Sequence, residues 1–172
     1  MSFLGKCLVL LGALTIYGHA FADLEGDYES KQWQEIEVHL PAAPNDATLQ
    51  AFYVSAASDN QFLIDLATLS VGQDGVIRYV LLVLTPEGGR NVTFEGMRCE
   101  TRQHRIYASG RRDGSWSRSR NNAWSRIQEA YANRQHAALF VDYFCPGGAI
   151  VQDAAEAKQA LQRGSHPYNR RQ

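Results

Sequence analysis

Asp74 to Cys99, DGVIRYVLLVLTPEGGRNVTFEGMRC, decides the fold. It opens on Asp74-Gly75, a pair that tolerates the positive φ of a tight hairpin turn. Val76 to Thr85, VIRYVLLVLT, is dense in β-branched and aromatic residues, as a strand requires. Pro86-Glu87-Gly88-Gly89 breaks the run, and Asn91 to Cys99 returns. A loop of Pro86 to Gly89 sets Thr85 opposite Arg90 and Val76 opposite Cys99. That register groups Arg78, Val80 and Leu82 with Glu95, Met97 and Cys99. The other face carries Ile77, Tyr79, Leu81 and Val83 with Val92, Phe94 and Arg98. Both faces are apolar, and a lone hairpin is unstable, so cover is required above and below. Arg78 is the charge inside the apolar run, and Glu95 is its diagonal neighbour in this register. The expectation is a structural ion pair, Arg78–Glu95, with the floor of an anion pocket as the alternative for Arg78.

Outward from the hairpin, Leu49 to Ala57 and Gln61 to Val71 read as strands with a Ser-Asp-Asn turn between them, the second breaking near Ala67. His104 to Gly110 reads as a further strand, followed by a polar loop, Arg111 to Ser119, tipped by Asp113-Gly114. Turn-linked neighbours make a mostly antiparallel meander. Helical spacing then takes over at Trp124, Ile127 and Tyr131, and again at His136, Leu139, Phe140, Tyr143 and Phe144, with Asn133 as N-cap and Pro146-Gly147 as the stop. A buried strand over 134–145 is the alternative. Asp153 with Glu156 resembles a capping box ahead of AAEAKQALQR and Gly164. The fold class is therefore α+β: an antiparallel sheet of about five or six strands with one or two C-terminal helices packed on it.

The chain begins with a different pattern. Lys6 precedes an apolar run, Cys7 to Tyr17, and Ala20-Phe21-Ala22 has the small-x-small form of a cleavage site. Residues 1–22 read as a secretory signal peptide, with the domain at 23–147 and a helix and tail at 148–172. Cys7 precedes the apolar segment, so the pattern is not that of a lipoprotein. No other run approaches the roughly 18 apolar residues of a membrane span. Export to the periplasm leaves Cys99 and Cys145 where disulfides persist. A bridge between them would stabilise by roughly 4 kcal/mol in the chain-entropy model.

Formal net charge is −1 over 172 residues, but the charges are segregated. Residues 23–74 hold ten acidic side chains and one lysine, whereas 90–126 hold nine arginines against Glu95, Glu100 and Asp113. Such asymmetry means internal pairing or a basic surface offered to an anionic partner.

Several segments together resemble the cryptic neisserial protein 1-like family of Gram-negative envelope proteins. They are Trp33 with Leu40-Pro41, SVGQDGVIRYVLLV, FEGMRCETRQHRIYASG, Trp116, Trp124-Ser125-Arg126-Ile127, and DYFC at Asp142 to Cys145. The resemblance implies a secreted envelope domain with paired cysteines. It supplies no reaction, cofactor or catalytic residue.

For chemistry, the arginine–aromatic stretch stands out. Arg102, Arg105, Arg111, Arg112 and Trp116 set guanidinium forks beside flat rings, the pairing that grips phosphates, carboxylates and sugars. An export signal argues against nucleic acid and for an anionic envelope glycan, a lipid phosphate or an acidic protein. The structural reading of the same arginines is pairing with the acidic first third. His39, His104, His136 and His166 form no H-x-H or H-E-x-x-H spacing, so no metal is expected from motifs. There is no G-x-S-x-G and no phosphate-binding loop. Asp65, Asp74 and Glu95 are acids without the arrangement of a glycosidase pair. Two alternatives to a binding protein remain: a hydrolase of an envelope polymer, and a structural or assembly protein.

Overall fold

The computed structural model describes residues 33–128 and 134–169. The leader expected at 1–22, its expected cleavage site, and the expected helix positions Tyr131 and Asn133 lie outside them.

The sheet contains β1 (Leu49–Phe52), β2 (Gln61–Asp65), β3 (Ser70–Val71), β4 (Val76–Leu84), β5 (Arg90–Arg98), β6 (Gln103–Gly110), β7 (Trp116–Arg118) and β8 (Ser125–Arg126). It is an open, wholly antiparallel sheet of order β1-β2-β4-β5-β6-β7, with β3 also on β4 and β8 also on β6. The strand count exceeds the expected five or six because short stretches join the ladder. Ser70–Val71 resumes pairing after the break near Ala67, and Trp116–Arg118 pairs within the expected polar loop. Ser125–Arg126 is extended against Gln103 and His104, which overturns the helical reading that began at Trp124. Its spacing matched a helix, but backbone pairing with the open flank of β6 won.

The hairpin forms with a register one residue away from expectation. Leu84, not Thr85, faces Arg90, and Val76 faces Arg98. Thr85 leaves the ladder to close the loop: its N–H donates to Gly89 O at 2.9 Å, and its Oγ1 accepts from Gly89 N–H at 3.1 Å. A slip of one residue exchanges which side chains share a face. Arg78, Val80 and Leu82 now lie with Gly96, Phe94 and Val92, while Ile77, Tyr79 and Leu81 lie with Met97, Glu95 and Thr93. The expected Arg78–Glu95 pair is therefore absent, the two side chains being on opposite faces.

Each face has its own cover. Over Ile77, Tyr79, Leu81 and Met97 pack Leu139, Tyr143, Phe144, Val151, Ala157, Ala160 and Leu161. These come from a π-helical turn at Leu139–Phe144, which continues α1 (Arg134–Ala138), from the connector at Val151, and from α2 (Ala154–Gln162). The helical alternative for 134–145 is thus the one adopted. Cys145 ends the π turn and is bonded to Cys99 just beyond β5, the Cα atoms 5.5 Å apart. Asp153 caps α2 through Glu156 N–H at 2.8 Å, and Glu156 reaches back to the N–H of Gln152.

Over Val80, Leu82, Val92, Phe94 and Tyr107 runs a strap without regular structure, Trp33 to Pro44, contributing Val38 and Leu40. Trp33 Nε1 donates to Asp74 O at 2.8 Å and Trp116 Nε1 to Pro41 O at 2.8 Å, fixing the strap at both ends.

Candidate functional site

Three loops meet at the hairpin tip. They are the end of the strap at Ala43–Asp46, the β4–β5 tip at Gly88–Arg90, and the β6–β7 turn from Gly110 to Gly114. Between them lies an open cleft of about 830 Å³, walled by Arg90, Arg111, Arg112 and Trp116 with Val92 at its base. The glycines lower the walls: a Cβ on Gly110 would meet Val92 Cβ at 3.0 Å, so the bare backbone lets strand and loop close up. Gly88 and Gly114 adopt left-handed φ of 83° and 82°, which the tight turns require.

The electrostatics of the cleft are one-sided. Asp46 is the acid on its wall, and it already accepts from Arg90 at 3.2 Å. Arg111 makes only long contacts of 3.4 Å, to Ser115 Oγ and Trp116 O. Arg112 is exposed and makes no hydrogen bond or ion pair among the described residues. Asp113, next in the turn, is held below the usual carboxylate range by hydrogen bonds from the Ser115 hydroxyl and N–H and, to a smaller extent, by the Arg111 charge, and so stays an anion hydrogen-bonded within its own loop. Trp116 is fixed by Pro41 O and packs at 6.3 Å from the Phe94 ring. The result is two guanidinium groups, one weakly held and one without a hydrogen bond or ion pair among the described residues, beside a braced indole.

Of the arginine–aromatic set singled out in the sequence, Arg111, Arg112 and Trp116 converge here. Arg90 joins them, and sequence reasoning missed it because a hairpin-tip arginine carries no motif. Arg102 and Arg105 lie elsewhere. Arg102, in a left-handed turn at φ 51°, sets its guanidinium 5.0 Å from the Phe140 ring. Arg105 is spent on Glu35.

Glu35 is the second centre of charge. Its carboxylate accepts from Arg78 Nη2 at 3.1 Å, from Arg105 Nη1 and from the Tyr107 hydroxyl. Arg78 also binds Asp74, with Nη2 2.6 Å from Oδ2. Burial pushes the Asp74 carboxyl up, but the Arg78 hydrogen bonds, the Ile36 and Val76 N–H groups and the Arg78 charge outweigh it and hold the carboxyl low. The strap thus carries acid from the first third of the chain onto the arginines of the sheet. Beside it, Arg98 lies 3.6 Å over the Trp33 ring, which meets Trp124 edge-on at 6.0 Å. Part of the charge segregation is internal pairing, and the cleft is what pairing leaves over.

Under the helical cover lies a third cluster. Glu95 is 2% exposed and accepts from the Tyr79 hydroxyl at 3.1 Å and the Thr93 hydroxyl at 2.6 Å. Its Oε2 lies 2.8 Å from His136 Nε2, and the His136 ring stacks on His104 with centroids 3.9 Å apart. Burial pushes the Glu95 carboxyl up, but the charge and hydrogen bond of His136, with the Thr93 hydroxyl, bring it below the ordinary value. Burial, then the neighbouring His136, lowers His104 to about 4, so it is neutral near pH 7. Glu95, His104 and His136 are a set able to hold a metal ion. No sequence spacing shows it, because the ligands come from β5, β6 and α1.

The sequence profile of the CNP1-like family matches residues 28–162, which takes in the whole sheet, the strap from Trp33 on, the disulfide and both helices. The chain belongs to the CNP1-like family. Comparison with curated proteins and with solved structures finds no match. In this CNP1-like chain no helix among the described residues is long and apolar enough to cross a membrane.

Proposed function

We propose that this CNP1-like protein is exported to the periplasm, where it is a non-catalytic binding protein that engages an anionic partner at the cleft between the strap, the hairpin tip and the β6–β7 turn. One observation carries this reading: Arg111 and Arg112 face a cleft of about 830 Å³ and neither is in an ion pair among the described residues, Asp113 of the same turn being hydrogen-bonded to Ser115, while Arg90 pairs with Asp46 on the cleft wall and Arg78 and Arg105 pair elsewhere. Guanidinium groups recognise phosphate or carboxylate through paired N–H donors, and the Trp116 face offers a stacking surface for a sugar ring. An anionic envelope glycan supplies both features. The paired Asp46 leaves the cleft without two convergent acids, which favours binding over polymer hydrolysis. Export rests on the leader at 1–22 and on the cysteine pair, which suits an oxidising compartment.

The test is binding of the purified protein to immobilised anionic and neutral envelope polysaccharides across a salt series. The anionic polymer should be retained, with affinity falling steeply as salt rises, and Arg111→Ala/Arg112→Ala should abolish retention while leaving the melting curve unchanged. Equal retention of neutral polymer, or retention indifferent to both substitutions, overturns the reading.

A further inference from the structure

We propose that Glu95, His104 and His136 form a buried binding site for a divalent transition metal ion of the zinc class. A carboxylate oxygen and one ring nitrogen from each histidine lie within 4.8 Å of one another. Two imidazoles and a carboxylate are the donor set of zinc and its neighbours, whereas calcium and magnesium prefer oxygen shells.

The independent observation is a pair of orphans. His104 Nδ1 and His136 Nδ1 are both buried and both without a hydrogen-bond partner. A buried ring nitrogen is normally satisfied, and leaving it bare costs about 1–3 kcal/mol. Two such atoms on stacked rings, beside a fully buried carboxylate, leave donor atoms that an acceptor of lone pairs would satisfy. A cation does so and also balances the charge of Glu95.

The surroundings have the character of an outer shell. The Tyr79 and Thr93 hydroxyls both donate to Glu95 and hold its plane, as partners of a metal-bound carboxylate do. The ligands stand on two paired strands and a helix rather than on loops, and the Cys99–Cys145 bond ties the end of that helical segment to the end of β5. Loading needs one adjustment. Ligands about 2.1 Å from a zinc ion sit roughly 3.4 Å apart, so the cluster must contract and the stacked rings must turn until their lone pairs converge. His104, the partly exposed member, is the ring free to turn and the route of entry.

The experiment titrates the chelator-treated, disulfide-intact protein with Co²⁺, then displaces it with Zn²⁺. The expected result is one equivalent of Co²⁺ giving visible ligand-field bands, lost on adding one equivalent of Zn²⁺, with Mg²⁺ and Ca²⁺ inert. His104→Gln, at a partly exposed position, should fold as judged by circular dichroism and weaken Co²⁺ binding on the order of a hundredfold. His166→Gln, at a ring that bonds Glu156 and the Tyr168 N–H and no member of the cluster, should leave it unchanged. No bands at one equivalent, bands that survive His104→Gln, or bands lost in His166→Gln overturn the proposal.

Discussion

Arg78 and Glu95 stand on opposite faces of the same two strands, Arg78 across from Gly96 and Glu95 across from Tyr79. Each anchors a different polar network. Arg78 serves the strap through Glu35 and Asp74, and Glu95 serves the helical cover through His136. Both layers are therefore fastened to the central hairpin by a buried charge, one from each side.

A double-mutant cycle separates the two networks. Arg78→Met leaves Asp74 without its cation and Glu35 with Arg105 alone, and should cost about 3–5 kcal/mol in urea unfolding. Combined with Glu95→Gln, its cost should be additive within about 0.5 kcal/mol, because no partner is shared. Combined with Asp74→Asn, it should show a coupling of about 1–3 kcal/mol. Strong coupling between positions 78 and 95 would restore the register expected from the sequence.

Acid should loosen the strap. The folded-state pKa of Asp74 lies below that of the unfolded chain, because the Arg78 hydrogen bonds and two N–H groups outweigh burial. Between the two values the unfolded chain binds the proton and the folded chain does not. The Asp74 contribution is therefore fully present above the ordinary carboxylate pKa and is lost as pH falls through the lowered one. Melting temperature should fall below about pH 4, and Asp74→Asn should flatten that limb while lowering the plateau near neutrality. An unchanged acid limb in the variant would remove Asp74 from the account.

What the residues disclosed in advance was whatever depends on local chemistry. The Val76–Thr85 run read as a buried strand, Pro86–Gly89 as a turn, Asp153 as a helix cap, and each appears, the strand ending one residue early at Leu84. Register did not follow, since it hinged on whether Thr85 hydrogen-bonds across the ladder or to Gly89, a choice of one residue with equal propensities on both sides. The cleft was half legible. Arg111, Arg112 and Trp116 are close in sequence and stay close, while Arg90 and the strap arrive through tertiary folding. Glu95, His104 and His136 were unreadable as a set, because strand pairing and helix docking, not spacing, bring them together.

The disulfide should matter more to the helical cover than to the sheet. Cys99→Ala/Cys145→Ala removes a cross-link between residues 46 apart and should cost about 2–4 kcal/mol. Hydrogen exchange should show the greater loss of protection in α1 and the π turn, with β4 and β5 the last to open. Uniform loss across sheet and helices would mean that the bond holds the whole domain rather than its cover.

Gly96 offers the sharpest packing test. Its Cα lies beneath Tyr107, and a Cβ there would sit 2.3 Å from the Tyr107 hydroxyl and 2.9 Å from two ring carbons. The β5–β6 ladder shifts register next to Glu95, pairing Phe94 with Ala108 and Glu95 with Ile106, and the Tyr107 skipped between those pairs reaches Glu35 across the bare strand. Gly96→Ala must push the ring aside, breaking its bond to Glu35, and should destabilise by about 1–3 kcal/mol through overpacking. Gly96→Ala in a Tyr107→Ala background should cost much less, since the obstructing ring is gone. If the second substitution gives no relief, the strain lies in the backbone of β5 and not in the contact with Tyr107.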